Sequence, residues 1–463
     1  MQLDIVILAA GKGTRMKSRL PKVLHRLAGQ PLLAHVLDAA TALQPRNTLV
    51  VTGHGAAEVD AFCRAYPSLA IQTVRQEPQR GTGHAVQQAA PLLPDDGVAL
   101  ILNGDVPLVE PETLRQLVAL AGDDALALLT VDTGADAGAY GRIERGADGA
   151  VRAIVEAGDA NPQQRALTEW YSGVMAAPVR LLKRYLAQLT DDNAQRELYL
   201  TDVVRHAAAE STQIAALRIA DTVQVAGVNS PVQLAALERA CQARRAAALM
   251  DAGVRLADPA RLDVRGHLRC GQDVEIDVGC IFEGQVTLGD GVRIGAHCVI
   301  ARARVEAGAL IHPFTHIDGG DKGVVVGPGT QVGPYARLRP GAQLGAQVHI
   351  GNFVEVKNSS LADGVKANHL AYLGDAEVGQ RVNYGAGSIT ANYDGVNKHR
   401  TAIGADVRIG SNCVLVAPVT IGAGGTVGAG SVITQDTPPG ALSLARGRQV
   451  VKADWASPAK GNP

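Results

Sequence analysis

The sequence predicts an N-terminal α/β domain with a mostly parallel sheet, joined by a long helix to a C-terminal parallel β-helix. Three observations predict this arrangement. Short apolar segments alternate with helix-length segments up to about residue 228, a helix-forming stretch follows, and aliphatic residues then recur at every sixth position. At 463 residues the chain also exceeds the size at which one hydrophobic core usually keeps growing. We therefore expect two domains.

The first domain is expected over residues 1–228. Its apolar runs, which read as strands, are LDIVILAA, TLVVTG, GVALILNGDVPLV and ALALLTVD. The stretches PLLAHVLDAATAL and PETLRQLVALAG have the length and pattern of helices between them. Short strands separated by helices are typical of βα units around a mostly parallel sheet.

A connecting helix is expected over residues 229–250. Its sequence opens with Asn-Ser-Pro, a start signal, and continues without Gly or Pro. Asn229 is thus a candidate N-cap of this helix, alongside the role considered for it below.

The period of the sequence changes over residues 251–463. Neither an α-helix nor a β-sandwich gives a period of six, whereas a parallel β-helix has flat faces with one inward aliphatic residue on each. A narrow prism interior also accounts for the low aromatic content of 3%. The three periodic runs are Ile276, Phe282, Leu288, Ile294, Ile300; Val326, Val332, Leu338, Leu344, Ile350, Val356; and Ile403, Ile409, Leu415, Ile421, Val427, Ile433.

Two breaks interrupt these runs, at HPFTHIDGGDKG and at TANYDGVNKHR. We expect both to be loops extruded from the coil, where functional residues tend to lie. The last residues of the chain are expected to form a C-terminal arm.

Charge and cysteine usage exclude several classes of protein. Lys plus Arg is 44 and Asp plus Glu is 45, so no charge imbalance favours binding to nucleic acid or to an anionic membrane surface. The six cysteines form no C-x-x-C pair, and free thiols are expected. The N-terminal segment has no basic region and only a short apolar run, so we expect a cytoplasmic protein without a signal peptide or a membrane span.

The stretch LAAGKGTRMKSRLPKVL places small residues and four cations directly after an apolar run. A Gly-rich turn after a strand lets backbone N–H groups approach phosphate oxygens, and nearby Lys and Arg supply counter-charge. The Walker A pattern is absent, and a tight turn with solvated lysines is the alternative for this loop taken alone. The favoured interpretation is a triphosphate-binding loop.

The same loop, L-x-x-G-x-G-T-R-M followed by P-K, resembles the signature of the sugar-1-phosphate nucleotidyltransferases, and LNGDVPL resembles their metal-binding strand end. With RLRPGA, GNFVEVKN, NHLAYLGDAEVG and ITANYDG behind them, residues 5 to about 450 resemble the bifunctional N-acetylglucosamine-1-phosphate uridyltransferase/glucosamine-1-phosphate N-acetyltransferase family. The resemblance implies a Rossmann-like first domain, a left-handed β-helix of hexapeptide repeats and a homotrimer formed through that β-helix.

The resemblance implies a first site for nucleotidyl transfer, where positioning and charge neutralisation must supply most of the rate. Arg15 and Lys22 would bind the phosphates. Asp105 and Asn229 would be hard oxygen ligands for Mg²⁺. The other implied nucleotide-binding residues are Leu8, Ala9, Ala10, Gly11, Gly13, Gln76, Gly81 and Thr82. The implied sugar-binding residues are Gly141, Glu156, Tyr171, Tyr199 and Thr201.

Three residues of this implied site have a second interpretation or depart from the family pattern. Asp105 could instead cap the end of its strand. Tyr171 stands where the family usually has Asn, and Asn103 stands where Tyr is common.

The resemblance also implies a second site, for acetyl transfer, which needs a base for the amine proton and a donor for the developing oxyanion. His369 would be the base, and Glu355 would orient its imidazole. The residues implied for the sugar phosphate are Arg339, Lys357, Tyr372, Asn383 and Lys398. The residues implied for acetyl-CoA and the reacting oxygen are Ala386, Asn392, Tyr393, Ser411, Ala429 and Arg446.

Together these sites imply that glucosamine-1-phosphate is acetylated by acetyl-CoA and that UTP then yields UDP-N-acetylglucosamine, a precursor for peptidoglycan and lipopolysaccharide. One alternative is a single-activity sugar-1-phosphate nucleotidyltransferase with a structural or regulatory β-helix. A second is a non-catalytic subunit that senses a nucleotide sugar.

Overall fold

The computed structural model of the chain describes residues 2–134 and 137–456. It divides into two compact units, Met1–Cys241 and Gln242–Pro463, and the division falls inside a long helix. The expected domain boundaries at residues 228 and 251 stay a prediction. Residues 457–463 of the expected C-terminal arm lie outside the described part of the chain.

The first unit is built from alternating strands and helices. Its strands are β1 Leu3–Ala9, β2 Arg26–Leu27, β3 Gln30–Pro31, β4 Asn47–Thr52, β5 Ile71–Arg75, β6 Val98–Asn103, β7 Ala125–Asp132, β8 Arg142–Arg145, β9 Val151–Val155, β10 Glu169–Pro178 and β11 Gln213–Ile219. Its helices are α1 Leu32–Thr41, α2 Ala56–Ala65, α3 Thr82–Ala89, α4 Pro111–Ala121, α5 Pro162–Arg165, α6 Val179–Leu186 and α7 Asp202–Ala209.

The main sheet of this unit has the strand order β11-β7-β10-β6-β1-β4-β5, and the β8–β9 hairpin pairs with β10. Neighbouring strands are parallel except along β10, which runs antiparallel to β6 and β7. The sheet is buried on both faces, which is why β1 and β6 are continuous apolar runs in the sequence. The predicted mostly parallel α/β sheet is confirmed.

The long helix α8 spans Pro231–Asp251, as the composition predicts. Its N-cap is Ser230, whose Oγ accepts a hydrogen bond from the backbone N–H of Gln233 at 3.3 Å. Asn229 therefore does not cap this helix through its side chain.

The second unit is a coil of short parallel strands. Its strands are β12 Arg255–Leu256, β13 Asp263–Cys270, β14 Glu275–Ile276, β15 Ile281–Leu288, β16 Arg293–Ile294, β17 Val299–Val305, β18 Leu310–Ile311, β19 His316–Asp318, β20 Val324–Val326, β21 Gln331–Val332, β22 Arg337–Leu338, β23 Gln343–Leu344, β24 His349–Asn352, β25 Glu355–Lys357, β26 Ser360–Leu361, β27 Lys366–His369, β28 Tyr372–Gly374, β29 Ala376–Val378, β30 Asn383–Tyr384, β31 Ile389–Ala391, β32 Thr401–Ile403, β33 Arg408–Ile409, β34 Val414–Val416, β35 Val419–Ile421, β36 Thr426–Val427, β37 Val432–Ile433 and β38 Leu442–Ser443.

Each strand pairs in parallel with the strand one coil earlier and the strand one coil later. The aliphatic residues of all three periodic runs are buried and form one continuous core along the coil. Outward residues on the same strands are exposed, as in the exposed-then-buried pair Gln343 and Leu344. The prediction from the six-residue period, one inward side chain on each flat face, is therefore confirmed.

The two predicted loops are present, and the first is shorter than predicted. His316–Asp318 forms β19 and pairs with β17, so only residues 319–323 leave the coil there. The second loop covers residues 392–400, between β31 and β32. The six cysteines are thiols, as predicted.

Stability of the coil can be tested at Leu344 and Gln343, an inward and an outward residue of the same strand. Leu344→Ala removes buried side chain from the core and should lower the free energy of unfolding by roughly 2–5 kcal/mol. Gln343→Ala, the matched control, should change it by less than about 0.5 kcal/mol. Urea unfolding followed by circular dichroism measures both. Equal effects would contradict the assignment of inward and outward positions.

Candidate functional sites

The first candidate site lies where two parallel strands of the first unit end. Leu8 of β1 is paired with Asn103 of β6, so the segments that follow both strands leave the sheet at one edge. Ligands bind at this edge in open parallel sheets. A cavity of about 490 Å³ opens there. It is lined by Leu8, Ala9, Ala10, Gly11, Lys12, Lys22, Val23, Gln76, Gln79, Gly81, Thr82, Ala85, Asn103, Asp105 and Glu197.

The Gly-rich loop is held close to Lys22. Gly13 has φ 58°, and a Cβ added there would lie 2.9 Å from the Lys22 Cβ, so both its conformation and its surroundings require glycine. The Gln79 amide donates to the Ala10 carbonyl at 2.6 Å and fixes the start of the loop. Arg15, on the turn Thr14–Met16, is exposed and is not among the residues that line the cavity. Its predicted contact with phosphate stays a prediction.

Lys22 joins the two predicted metal ligands. Its Nζ donates to Asp105 Oδ2 at 2.5 Å and to Asn229 Oδ1 at 3.1 Å. Carboxylate and amide oxygens from residues far apart in sequence thus converge on one point of positive charge. Within the described ranges no group of three or more His, Cys, Asp or Glu residues could hold a metal. Two hard oxygen donors close together nevertheless suit an ion that takes its other ligands from water and phosphate.

The residues predicted to read the base are close together at the start of α3. Gly81 precedes the helix with φ 107°, and Gln76 Nε2 donates to the Gly81 carbonyl at 2.9 Å. Thr82 begins the helix, and its Oγ1 accepts from the Leu200 backbone N–H at 3.1 Å. All three residues, Gln76, Gly81 and Thr82, line the cavity.

A second cavity, of about 220 Å³, shares Leu8, Thr82, Asn103 and Asp105 with the first. Besides Asp105, its lining includes four of the five predicted sugar residues and the other predicted metal ligand: Gly141, Glu156, Tyr171, Thr201 and Asn229. Tyr199 is buried and is not among the lining residues. The two cavities therefore bring a predicted nucleotide site and a predicted sugar site to the same carboxylate, Asp105.

Glu156 is held in place from the neighbouring helix segment. The Thr201 hydroxyl donates to Glu156 Oε1 at 3.0 Å. Burial raises the pKa of Glu156, partly offset by that hydrogen bond. A partly buried carboxyl with one oxygen already bonded is suited to accept from a sugar hydroxyl with the other.

Tyr171, the departure from the family pattern, lies in the sugar cavity with only 7% of its surface exposed. Its hydroxyl is buried and has no hydrogen-bond partner among the described residues. Burial raises the pKa of this phenol, so it stays protonated and able to donate. Asn103, which stands where the family commonly has Tyr, lines both cavities, and its side-chain amide donates to the Gly173 carbonyl at 3.2 Å.

The second candidate site begins with His369 at the end of β27. His369 is the register partner of Asn352 on β24, one coil earlier, and its Nδ1 lies 2.9 Å from Asn352 Oδ1. An amide oxygen can only accept, so Nδ1 carries a proton, and the neutral form of the ring has its lone pair on Nε2. His369 is exposed. Its imidazole is thus oriented with a basic nitrogen directed away from its partner.

Among the described residues no hydrogen bond joins Glu355 to His369, so orientation of the imidazole by Glu355 stays a prediction. Glu355 accepts from Arg339 at 2.7 Å and from Arg337 at 3.4 Å. It lies on β25, beyond the corner of the coil, where its register partner is Tyr372. The residue that bonds the imidazole is Asn352, in the segment GNFVEVKN. It was not predicted.

Three predicted phosphate-binding cations are brought together on the coil. The ammonium of Lys398, then partial burial and the charge of Arg339, lower the pKa of Lys357. Mutual repulsion of this kind is relieved when an anion binds between the cations. Tyr372 is on the strand β28 next to β25, whereas Asn383 is exposed on β30, where it pairs with Lys366 and Arg408.

The extruded loop of residues 392–400 is fixed at its base by Asp375. Asn392, buried, donates to Asp375 Oδ2 at 2.5 Å, and Asn358 donates to Asp375 Oδ1 at 2.5 Å. Tyr393 is exposed, and its hydroxyl donates to the Gly395 carbonyl at 2.6 Å. Asp375 and Asn358 were not predicted. The only signal in the sequence is that Asn358 and Asn392 each lie one coil away from Asp375.

The residues predicted for acetyl-CoA form a ladder on successive coils. The Asn412 N–H donates to the Ala386 carbonyl, and the Gly430 N–H donates to the Ser411 carbonyl, both at 2.8 Å. Arg446 donates to the Ala429 carbonyl at 2.8 Å. The three small residues thus follow one edge of the coil, with an arginine at its end.

This fold and these sites define a two-part transferase. Residues 5–256 match the MobA-like NTP transferase domain, and residues 267–302, 323–358 and 400–435 match the bacterial transferase hexapeptide repeat.

Full-length relatives identify the family. The chain is 68% identical to a protein of Paracidovorax citrulli named bifunctional protein GlmU, over 99% of this chain and 98% of that protein. Proteins of the same name from Albidiferax ferrireducens and from an Azoarcus species are 65% and 54% identical, over 99% of this chain and 100% of each. The chain belongs to the bifunctional GlmU family, whose members combine uridyl transfer with glucosamine-1-phosphate acetyl transfer.

Family membership favours the two-activity interpretation over the single-activity nucleotidyltransferase and over the non-catalytic subunit. It also implies a divalent metal ion, a nucleotide and acetyl-CoA as ligands. Across the described ranges, no helix is both long enough and apolar enough to cross a membrane.

The hydroxyl of Tyr171 gives a test of the sugar cavity. Tyr171→Phe removes a buried hydroxyl that has no protein partner, so thermal stability should stay equal or rise. If a sugar hydroxyl is that partner, KM for the sugar phosphate should rise on the order of tenfold, with kcat little changed. Steady-state kinetics and a thermal shift assay measure the two effects. A stable variant with unchanged KM would remove Tyr171 from the sugar site.

Proposed function

We propose that this chain acetylates glucosamine-1-phosphate with acetyl-CoA on its coil and then transfers UMP from UTP to the product in its α/β unit. The products would be UDP-N-acetylglucosamine and pyrophosphate, formed in the cytoplasm for peptidoglycan and lipopolysaccharide precursors. The observation that carries the proposal is the presence of both sites on one chain. One joins Lys22 to Asp105 and Asn229, and the other joins His369 to Asn352.

In uridyl transfer, a phosphate oxygen of the sugar attacks the α-phosphorus of UTP in line, and pyrophosphate leaves. Backbone N–H groups after β1 and the ammonium of Lys22 hold the triphosphate, and Arg15 adds charge at its outer end. Glu156 and Tyr171 orient the sugar from the adjoining cavity.

Asp105 and Asn229 are the residues that would hold the divalent ion, which we propose to be Mg²⁺. Their oxygens suit its preference for hard ligands, and the ion would neutralise charge on the phosphate oxygens. Lys22, which bonds both residues, keeps the two ligand side chains aligned with each other.

In acetyl transfer, the amine of glucosamine-1-phosphate attacks the thioester carbonyl, and the CoA thiolate leaves. His369 Nε2 takes the proton that the amine loses, while Asn352 keeps the ring in the required tautomer. The Tyr393 backbone N–H stabilises the oxyanion. Arg339, Lys357 and Lys398 bind the sugar phosphate.

We further propose that the acetyl site is completed in a homotrimer. Tyr372 and Asn383 lie in different sheets of the coil, so one chain does not place them side by side. A surface is also available for association. Phe314, Tyr335, Phe353 and Leu370 form an apolar ridge along one corner, with exposures of 48%, 49%, 57% and 62% and positive φ at each residue. A continuous apolar ridge in contact with water is typical of an interface.

The whole proposal is tested by supplying glucosamine-1-phosphate, acetyl-CoA, UTP and Mg²⁺ and identifying the products by mass spectrometry. UDP-N-acetylglucosamine should form only when all four are present. Acetylated sugar phosphate should accumulate when UTP is left out. Formation of UDP-glucosamine without acetyl-CoA would contradict the proposed order.

Asp105→Ala removes one of the two metal ligands and the main partner of Lys22. Uridyl transfer from supplied N-acetylglucosamine-1-phosphate should fall by at least about 10²-fold, as expected for loss of a charge-stabilising group. Acetyl transfer should be unchanged. Pyrophosphate release and CoA release measure the two activities, and Asp148→Ala, an exposed acid on the β8–β9 hairpin, is the matched control. Loss of both activities in the Asp105 variant would contradict separate sites.

His369→Ala should lower acetyl transfer by about 10²- to 10⁴-fold, the usual contribution of a positioned base, and leave uridyl transfer intact. His267→Ala changes an exposed histidine at the start of the coil and should have no effect. Asn352→Asp places a carboxylate beside the imidazole and favours its charged form, so the acidic limb of the acetyl-transfer rate should move to higher pH. If His369→Ala keeps more than about a tenth of the rate, another group takes the proton.

A further inference from the structure

The amide of Gln76, which lines the nucleotide cavity, is fixed by two partners. Only 4% of Gln76 is exposed, and its Nε2 donates to the Gly81 carbonyl at 2.9 Å. The same Nε2 lies 3.2 Å from Nδ1 of His84, on the first turn of α3. The two hydrogens of the amide nitrogen are therefore directed at two different groups.

These contacts determine the protonation state of His84. A backbone carbonyl can only accept, so the Gly81 contact requires the amide nitrogen, not the oxygen, on that side. The second hydrogen of this nitrogen points to His84 Nδ1, which must then be an acceptor. A neutral imidazole that accepts at Nδ1 carries its hydrogen on Nε2, which lies 3.1 Å from Nε2 of Gln88. Turning the Gln88 amide over puts its oxygen at this place as the acceptor.

The surroundings of His84 favour this neutral form. Burial, and then the positive charge of Arg80, lower the pKa of His84. Arg80 is the charged group that acts on the ring, and the Gln76 and Gln88 amides occupy its two nitrogens. No contact of the ring requires the charged state.

With its nitrogen held by Gly81 and His84, Gln76 directs Oε1 to the other side. This oxygen has no hydrogen-bond partner within residues 2–134 and 137–456, and Gln76 lines the nucleotide cavity. A fixed acceptor selects a base whose ring edge carries an N–H. The ring N3 of uracil is such a donor, whereas the ring N3 of cytosine is an acceptor and would face Oε1 unpaired.

We propose that His84 is a positioning residue that makes the cavity select uracil over cytosine by holding the Gln76 amide in one orientation. The inference rests on the proposed function, in that the cavity binds UTP. Turning the amide over would place Oε1 against the Gly81 carbonyl and the His84 lone pair together, so two acceptors oppose the flip. Without His84 only Gly81 opposes it, and the turned amide offers an N–H₂ that pairs with cytosine.

The test compares kcat/KM for UTP and for CTP, with N-acetylglucosamine-1-phosphate as acceptor, in the native chain and two variants. His84→Leu removes the acceptor and should lower the UTP-to-CTP preference on the order of tenfold, chiefly through KM. His84→Asn can present an amide oxygen near the position of Nδ1 and should keep most of the preference. Loss of the preference in His84→Leu together with its retention in His84→Asn supports the inference.

A second readout needs no variant. As the pH falls through the titration of His84, Nδ1 gains a hydrogen and stops accepting from Gln76, so the UTP-to-CTP preference of the native chain should decline at acid pH. Taking the ratio cancels the effects of pH that are common to both triphosphates.

An unchanged preference in a folded His84→Leu chain, or a pH-independent preference if that variant does not fold, would overturn the role of His84. Both outcomes leave the proposed function standing, because UTP would still be used. If the native chain does not use UTP at all, it is the proposed function that fails.

Discussion

Parallel strand register decides which side chains meet in both units of this protein. In the first unit, pairing of β1 with β6 brings the Gly-rich loop and Asp105 out at the same sheet edge. In the second, pairing of successive coils places His369 against Asn352 and Asn392 against Asp375. In the first unit, strand pairing thus brings together residues that are far apart in sequence. In the second unit, it brings together residues that are one coil apart. The inward aliphatic stack that stabilises the coil also fixes this register, since a slip of one residue would turn core side chains to water.

Much of this architecture could be predicted from the sequence because it is periodic or local. The six-residue recurrence identified the inward residues of the coil, and the small residues after β1 indicated a loop that lines a cavity at the sheet edge. Asp105 could be placed because it directly follows an apolar strand. The contact between Asn229 and Lys22 could not be predicted, because it depends on how distant segments fold together.

Glu355 and the first predicted loop differ from expectation, each for its own physical reason. Glu355 was expected beside His369 because a carboxylate is a usual partner for a catalytic imidazole, but the corner of the coil separates their strands. Arg339 takes up the charge of Glu355 instead. The first predicted loop was too long because the quoted break included β19, although its buried Ile317 follows the buried Ile311 by six residues and so continues the pattern. Asn352, Asp375 and His84 make one or two polar contacts each, which leave no periodic signal in the sequence.

The central claim is that the two sites work separately and pass a free intermediate. It is tested most directly by mixing separately purified Asp105→Ala and His369→Ala proteins and following UDP-N-acetylglucosamine formation from glucosamine-1-phosphate, acetyl-CoA, UTP and Mg²⁺. Neither variant should complete the conversion alone. The mixture should do so after a lag, while acetylated sugar phosphate accumulates in solution. A mixture that stays inactive, although each variant keeps its own remaining activity, would contradict the account.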